Sequence, residues 1–326
     1  MRGAHLNQRH ATRTSTTVLS AALSAALSTT LLMTLLWAAP SAACAACACG
    51  STAALPVGAE LPFAGRWRVA LSTQAFSTTT ADPLGDVLLQ GGSSAVTIVA
   101  AVTDAVIVDV SVPLSLRLRR TGGTNGGSID GRSVGLGDAA LGVRLVWTDR
   151  TFGPRFAASI RLGATLPTSL TLTGSSGTPL STSLQPGAGA LAPQLQLTGV
   201  WLPSSTVSLL ASLSGTAPLV GLRDDLGAAV VEGRLVALVR ATQRVSVRGG
   251  LLARGVSNTV MADHADHADH ADHDRGARAV IGPEAGITID VDTDIAVAAT
   301  ASVPVVAPGG AVTEGGRAEL TLLVDW

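Results

Sequence analysis

The stretch VIVDVSVPLSLRLR, from Val106 to Arg119, alternates apolar and polar side chains almost residue by residue. Valines and leucines fall on the even positions, whereas Asp109, Ser115 and Arg117 share the odd face. Because successive side chains of a strand point to opposite faces, this period of two predicts a strand with one apolar and one polar face. Strands in soluble proteins are mostly about five or six residues long, and a tilted strand needs roughly 9 to 11 to cross a bilayer. The length of this stretch therefore favours a membrane-spanning strand.

The same alternation recurs along the chain after residue 65. The predicted strands cover 66–76, 94–103, 105–119, 136–147, 154–166, 187–202, 206–217, 226–241, 244–257, 277–291, 294–307 and 316–326. Short connections at 103–104, 148–153, 203–205, 242–243 and 292–293 alternate with longer ones at 77–93, 120–135, 167–186, 218–225, 258–276 and 308–315. This arrangement is typical of Gram-negative outer-membrane barrels. We predict an all-β, closed antiparallel transmembrane β-barrel of about twelve strands with up-and-down topology.

Four tryptophans give a second indication of a barrel in a membrane. Trp67, Trp147, Trp201 and Trp326 all fall at strand ends beside short turns and share the parity of the apolar faces. Amphipathic rings prefer the membrane interface, so we expect an aromatic girdle at that rim. Lipid offers no hydrogen-bond partners, so strand 316–326 is expected to pair with the first strand. Its alternating apolar residues before a terminal aromatic also predict recognition by the outer-membrane assembly machinery.

Composition and the N-terminal sequence set the broad class. The chain is 47% hydrophobic and 14% charged with a net charge of −1, and it has no basic stripe that would indicate a nucleic-acid partner. Arginines followed by an apolar run and small residues predict a signal peptide over 1–43. After it come a cysteine-containing segment at 44–65 and the barrel at 66–326. No apolar run of about eighteen residues recurs past residue 60, so membrane contact is expected through strands.

Three cysteines stand at the predicted mature terminus: Cys44, Cys47 and Cys49. Cys44 could carry a lipid, although Ser41 stands where lipoprotein signals prefer an aliphatic residue. Two or three thiolates could instead ligate a soft metal, or two could form a disulfide and leave one spare thiol. The sequence leaves all three alternatives open.

Parity also assigns the charged side chains to the barrel interior, because an arginine facing lipid at the bilayer midplane costs about 2 to 4 kcal/mol. The candidate lumen residues are Arg117, Arg119, Arg144, Arg161, Glu232, Arg234, Arg248 and Glu319, with Arg66, Arg68, Asp109, Arg155, Arg240, Arg254 and Glu284 on the same faces. One interpretation is a salt-bridged interior that holds the barrel round. The other is a narrow conduit for small anionic or polar-headed solutes. No catalytic constellation is visible, so an enzyme is not expected.

A second candidate site is the repeat ADHADHADHADHD at 262–274, within a predicted external loop. The predicted ligands are His264, His267, His270, His273, Asp263, Asp266, Asp269 and Asp272. Imidazoles beside carboxylates suit Zn, Cu or Ni, although no cofactor is required by the barrel itself. The alternative is a solvated low-complexity repeat.

Two motifs carry a family resemblance. AVTD at 101–104, followed by the valines up to Val112 and Pro113, resembles a strand-turn-strand of outer-membrane transporters assigned to phenol-degradation pathways of the MetA type. GLGD at 135–138, leading into LGVRL at 141–145, is similar to a second motif of that family. The family is distantly similar to the long-chain fatty-acid transporters, which implies uptake of small, often hydrophobic compounds across the outer membrane. This chain has fewer aromatics, and an N-terminal plug domain is not expected in the short segment before the first predicted strand.

Overall fold

A computed structural model describes residues 65–80, 87–121, 128–148, 156–181, 184–221, 229–257, 278–292, 294–305 and 312–326. All of them belong to the compact unit Pro40–Trp326. The predicted signal peptide, the cysteine segment, Arg155 and the His/Asp repeat lie outside the described residues. Within the described part, no helix has the length and apolar character that crossing a membrane requires.

The described residues form fourteen strand segments in one antiparallel sheet. They are β1 (Trp67–Thr80), β2 (Val87–Ala101), β3 (Val106–Thr121), β4 (Ser128–Leu136), β5 (Ala140–Thr148), β6 (Phe156–Thr165), β7 (Ala190–Trp201), β8 (Val207–Thr216), β9 (Val220–Gly221), β10 (Val230–Arg240), β11 (Val245–Val256), β12 (Arg278–Asp290), β13 (Ile295–Ser302) and β14 (Val312–Asp325).

These segments occupy twelve positions around a closed barrel, which confirms the predicted architecture. β4 and β5 share one position, because residues 114–121 of β3 pair with β4 and residues 106–111 of β3 pair with β5. The two-residue β9 pairs only with the start of β7 and extends that hairpin. Each remaining strand pairs with its neighbours in chain order, as expected for up-and-down topology.

The first and last strands close the barrel. β1 pairs with β14 along most of its length, and Trp67 and Trp326 exchange two backbone hydrogen bonds of 2.9 and 3.0 Å. Next to them, Arg68 donates two hydrogen bonds to the carboxylate of Asp325. The predicted pairing of the C-terminal strand with the first strand is therefore confirmed, and a partly buried ion pair adds to the backbone ladder at the seam.

Several strand boundaries differ from the sequence-based prediction. β1 continues to Thr80 and β2 begins at Val87, so the connection between them is 81–86 rather than the predicted 77–93. The fourth strand begins at Ser128, where a loop up to residue 135 was predicted. These extensions are rich in Ser, Thr and Gly, which form the backbone ladder without the apolar alternation that marks the membrane-spanning part. The alternation in loop length is correspondingly weaker than predicted at these two loops.

The barrel distributes polarity in the reverse of a soluble protein. Apolar side chains such as Leu116, Leu213 and Leu235 point outward and are 46%, 51% and 62% exposed. Charged side chains point inward and are buried, with Arg117 at 1% and Arg161 at 3% exposure. The core is therefore polar and the outer surface is apolar, which is the arrangement that a hydrocarbon environment favours.

The four tryptophans that the structure describes lie at one rim. Trp67, Trp147, Trp201 and Trp326 are between 51% and 62% exposed at the strand ends beside the connections 102–105, 149–155, 202–206, 241–244 and 291–294. Phe156 is also exposed there and pairs with Trp201. We call this end the tryptophan rim and the opposite end the mouth.

Candidate functional site

The first cluster of interior charges lies on β3, β5 and β6. Arg161 Nε donates to Asp109 Oδ1 at 2.8 Å, and its Nη2 donates to Oδ2 at 2.6 Å. Its Nη1 donates to Gln194 Oε1 at 2.9 Å. The guanidinium crosses β5 at Gly142, where an added β-carbon would lie 2.5 Å from the Arg161 Cζ. Gly142 therefore leaves the room that lets Arg161 reach Asp109 two strands away.

Arg144 gives this cluster a net positive charge. It pairs directly with Arg161 across β5 and β6, and its side chain is 7% exposed. Within the described residues Arg144 has no hydrogen bond or ion pair, because the nearby Asp109 is bound to Arg161. Two arginines thus share one carboxylate on this wall.

The second cluster lies on β10, β11, β12 and β14. Arg234 contacts Glu232 at 2.8 Å and Glu284 at 3.5 Å, and Arg248 contacts Glu284 at 3.1 Å. Glu319 on β14 accepts a hydrogen bond from Thr321 rather than from an arginine. Arg254 on β11 is 5% exposed and pairs in register with Glu232 on β10. This wall therefore carries three carboxylates and three arginines, and their formal charges balance.

The two clusters face one another across the interior. Counted around the barrel from β5, β12 is the sixth strand in either direction, so Arg144 and Glu284 stand on opposite walls. The unbalanced positive charge of Arg144 therefore faces a wall on which the charges balance, so the electrostatic potential differs across the lumen. Arg144 and Arg161 on one wall and Arg248 and Glu284 on the other are each at most 7% exposed, which favours a narrow space between the walls.

Two further predicted lumen residues lie nearer the mouth. The Arg117 guanidinium carbon lies 5.6 Å from the ring centroid of Phe76, which is within the range of a cation–π contact. Phe76 itself lies over Gly91, where an added β-carbon would be 2.4 Å from the ring. Arg119 donates to Ser181 Oγ at 3.5 Å. The interior at this level is therefore lined by arginines and one aromatic ring.

The segment between β6 and β7, residues 166–189, folds inward at the mouth, and we call it the mouth loop. Asp138 holds both of its ends, because Oδ1 accepts from Ser169 N at 2.9 Å and Oδ2 accepts from Gly189 N at 2.7 Å. Ala139 N donates to Thr168 Oγ1 at 2.7 Å. Asp138 lies at the break between β4 and β5, where the chain leaves the ladder and the carboxylate reaches the loop.

Glycines on β4 leave the space into which the mouth loop packs. An added β-carbon at Gly131 would lie 2.4 Å from Leu184, and one at Gly135 would lie 3.1 Å from Pro186. Between these glycines, Ser133 donates from Oγ to the Leu184 carbonyl. The run from Leu184 to Ala190 is buried throughout, so the loop packs tightly against the inner wall.

Gln185 fixes the shape of the loop. Its side chain is 1% exposed, and it accepts from Leu172 N at 2.9 Å while donating to the carbonyls of Leu172 and Leu180 at 3.0 and 2.9 Å. These bonds close the base of a small hairpin that runs from Leu172 to Leu180 and has an exposed turn, and Leu170 just before it is 78% exposed. The loop is therefore a fastened part of the mouth rather than a loose connection.

The structure places most of the predicted lumen residues in the two clusters and Arg117 and Arg119 nearer the mouth, whereas Arg66 and Arg240 are exposed at the tryptophan rim. Sequence reasoning missed Asp138, Gln185 and Gln194. The GLGD motif was the available signal for Asp138, since an acid after two glycines interrupts the strand alternation. Nothing in the pattern marks the two glutamines. The described residues contain no cluster of metal-ligating side chains, and all the predicted ligands lie outside them.

Comparison with known proteins gives the fold. No protein-family model matches the chain, and no curated protein sequence matches it. An outer-membrane channel from Pseudomonas putida F1 is similar in structure, with a TM-score of 0.59 and 12% identity over 82% of this chain and 97% of that one.

Two other solved structures are more distant. They are the translocator domain of the autotransporter NalP from Neisseria meningitidis (TM-score 0.44, 12% identity, 82% of this chain and 90% of that one) and the Ralstonia pickettii toluene transporter TbuX (0.37, 10% identity, 81% and 90%). At these scores they carry no argument about this chain.

Proposed function

We propose that the chain is an outer-membrane channel that passes small solutes through a narrow, charged interior. The observation that carries this is the inverted polarity of the barrel, with exposed apolar residues outside and two opposed charge clusters inside. A barrel that served only as an anchor could fill its interior with apolar side chains. The similar fold of the Pseudomonas putida channel supports the proposal.

The solutes that fit this interior are small and carry an anionic or strongly polar group. Arg144 offers a guanidinium with no ion pair among the described residues, next to Arg161, whose charge Asp109 already neutralises. Buried guanidinium groups bind carboxylates and phosphates through charge-assisted hydrogen bonds. A purely apolar hydrocarbon offers no hydrogen-bond acceptor or negative charge to these guanidinium groups, so it fits this interior less well. The phenol-degradation assignment stays a prediction.

Planar-bilayer recording tests the channel. In a salt gradient we expect discrete conductance steps and a reversal potential that indicates anion preference. Arg144→Gln should shift the reversal potential toward zero, because it removes the uncompensated positive charge. Arg244→Gln is the matched control, since Arg244 is exposed in a turn at the tryptophan rim. A barrel without conductance, or an equal shift in both variants, would contradict the proposal.

A second function, metal binding at the mouth, is supported by the position of the repeat 262–274. β11 ends at Val256 and β12 begins at Arg278, both at the mouth, so the connection that contains the repeat leaves the barrel there. Its histidines and aspartates are suitable ligands for Zn, Cu or Ni at the cell surface.

Titration calorimetry with Zn, Cu and Ni tests metal binding. We compare the full chain with a variant in which His264, His267, His270 and His273 are replaced by Asn, which keeps the loop length. Binding should be lost in the variant, and it should weaken below about pH 6 because protonated imidazole is not a ligand. Equal binding by both proteins would remove the repeat as the site. The same titration after replacing Cys44, Cys47 and Cys49 by Ser separates their contribution.

A further inference from the structure

Two arginines depart from the inward placement of charge. Among the strand residues whose side chains the structure describes, charged groups point inward or lie at the tryptophan rim, except for Arg120 on β3 and Arg132 on β4. Arg120 has the parity of Leu116, which is 46% exposed, and Arg132 has that of Val134, which is 60% exposed. Both guanidinium groups therefore belong to the outer surface.

The two arginines form one patch with Gln90. Leu118 pairs with Arg132 on one side and with Gln90 on the other. Arg120 is the next outward position on β3, just past a register shift in the pairing with β4. Diagonal neighbours on antiparallel strands are about 7 to 8 Å apart, so two flexible arginines at these positions can reach one phosphorylated headgroup. We call Gln90, Arg120 and Arg132 the outer patch.

The level of the outer patch is the edge of the apolar belt. β3 ends at Thr121 and β4 begins at Ser128, so the patch lies at the mouth, far from the tryptophan rim. Outward arginines are costly at the bilayer midplane but almost neutral near the interface. No aromatic side chain among the described residues faces outward at the mouth, since Phe76 points inward. The arginines thus occupy the level where headgroups meet hydrocarbon.

The charge of the outer patch is not compensated within the described protein. Neither Arg120 nor Arg132 makes an ion pair or a side-chain hydrogen bond there. By contrast, four interior arginines contact a carboxylate, namely Arg68, Arg161, Arg234 and Arg248. A guanidinium presents a planar fork that binds phosphate oxygens in pairs, and the Gln90 amide can add a donor. In a membrane, the anions available at this level are lipid phosphates.

We infer that the outer patch binds the phosphate groups of a phosphorylated glycolipid in the outer leaflet. This rests on the membrane placement in the proposed function but not on conduction through the lumen. Binding would fix the barrel's depth and rotation at the mouth, as the tryptophans do at the opposite rim.

Native mass spectrometry of the full chain in detergent tests the inference, with bis-phosphorylated lipid A and the same lipid without phosphates as probes. We expect retention of the phosphorylated lipid only. Replacing both Arg120 and Arg132 by Gln should weaken its binding roughly tenfold or more, which corresponds to loss of charge-assisted contacts. Arg240→Gln with Arg244→Gln is the matched control at the tryptophan rim and should bind as the wild type does.

Equal retention of the two lipids, or unchanged binding by the Arg120/Arg132 variant, would overturn the inference. Displacement of the lipid by millimolar inorganic phosphate would also overturn it, because the site would then hold the free ion. Conductance of the same variants in phosphatidylcholine bilayers is measured separately. A wild type that conducts but does not retain the phosphorylated lipid contradicts the inference alone, and a wild type that retains the lipid but does not conduct contradicts the proposed conduction alone.

Discussion

At the scale of single residues, the interior is held by ion pairs that cross neighbouring strands. Asp109 on β3 and Arg161 on β6 meet over Gly142 on β5, with side chains 8% and 3% exposed. Parity in the sequence places both residues on inward faces. It does not reveal that they pair, because their strands are not adjacent and the contact depends on the missing side chain of a glycine between them.

The Asp109–Arg161 pair predicts a large stability effect. Asp109→Asn leaves the Arg161 guanidinium buried beside Arg144 without its counter-charge, and breaking a buried pair in this way costs about 3 to 5 kcal/mol. The temperature at which the folded, fast-migrating gel band disappears should fall substantially. Asp294→Asn is the matched control, because its contact with Arg66 is 3.9 Å long and half exposed, so a change below about 1 kcal/mol is expected. Similar shifts in both variants would contradict this.

At the scale of elements, the fourth barrel position and the mouth loop form one unit. The break between β4 and β5 releases Asp138 from the strand pattern, and its carboxylate ties both ends of the loop. The run of polar and small residues predicts a loop here, but not its inward fold. The mouth loop packs against the wall because Gly131 and Gly135 have no side chains there. The alternation of apolar and polar residues in the sequence does not show which residues pack against a glycine.

A valine at Gly187 should detach the mouth loop. An added β-carbon there would lie 2.7 Å from Asp138 Oδ2 and 2.8 Å from the Asp138 backbone nitrogen, so the loop must move away from its anchor. We expect faster proteolysis within the mouth loop and a larger, noisier conductance, with the barrel still resistant to unfolding in cold detergent.

Two comparisons complete this test. Gly199→Val is the matched control, because Gly199 has open space around it on the outer face and should leave the loop unchanged. Asp138→Asn should show an intermediate effect, since one amide oxygen can replace only one of the two carboxylate acceptors. If the loop in Gly187→Val resists protease as well as in the wild type, the anchoring role of Asp138 is wrong.

At the scale of the whole molecule, the alternation along each strand predicted the barrel and its twelve positions. It did so because lipid imposes the same requirement on every strand, namely an apolar outer face and complete backbone pairing. The strand extensions toward the mouth were not predicted, because residues beyond the hydrocarbon layer do not need an apolar outer face. Ser77, Gly91 and Gly92 pair in the ladder without contributing to an apolar face.

The central claim is that this barrel is embedded in the membrane with its apolar face outward. Spin labels on single cysteines test it most directly, in liposomes and with Cys44, Cys47 and Cys49 replaced by Ser. A label at Leu213, which is 51% exposed and points outward, should collide with dissolved oxygen and be shielded from a water-soluble nickel chelate. A label at Ser212, the adjacent inward position, should show lower accessibility to oxygen. Access of the nickel chelate to the label at position 213, at the level of bulk water, would contradict the claim.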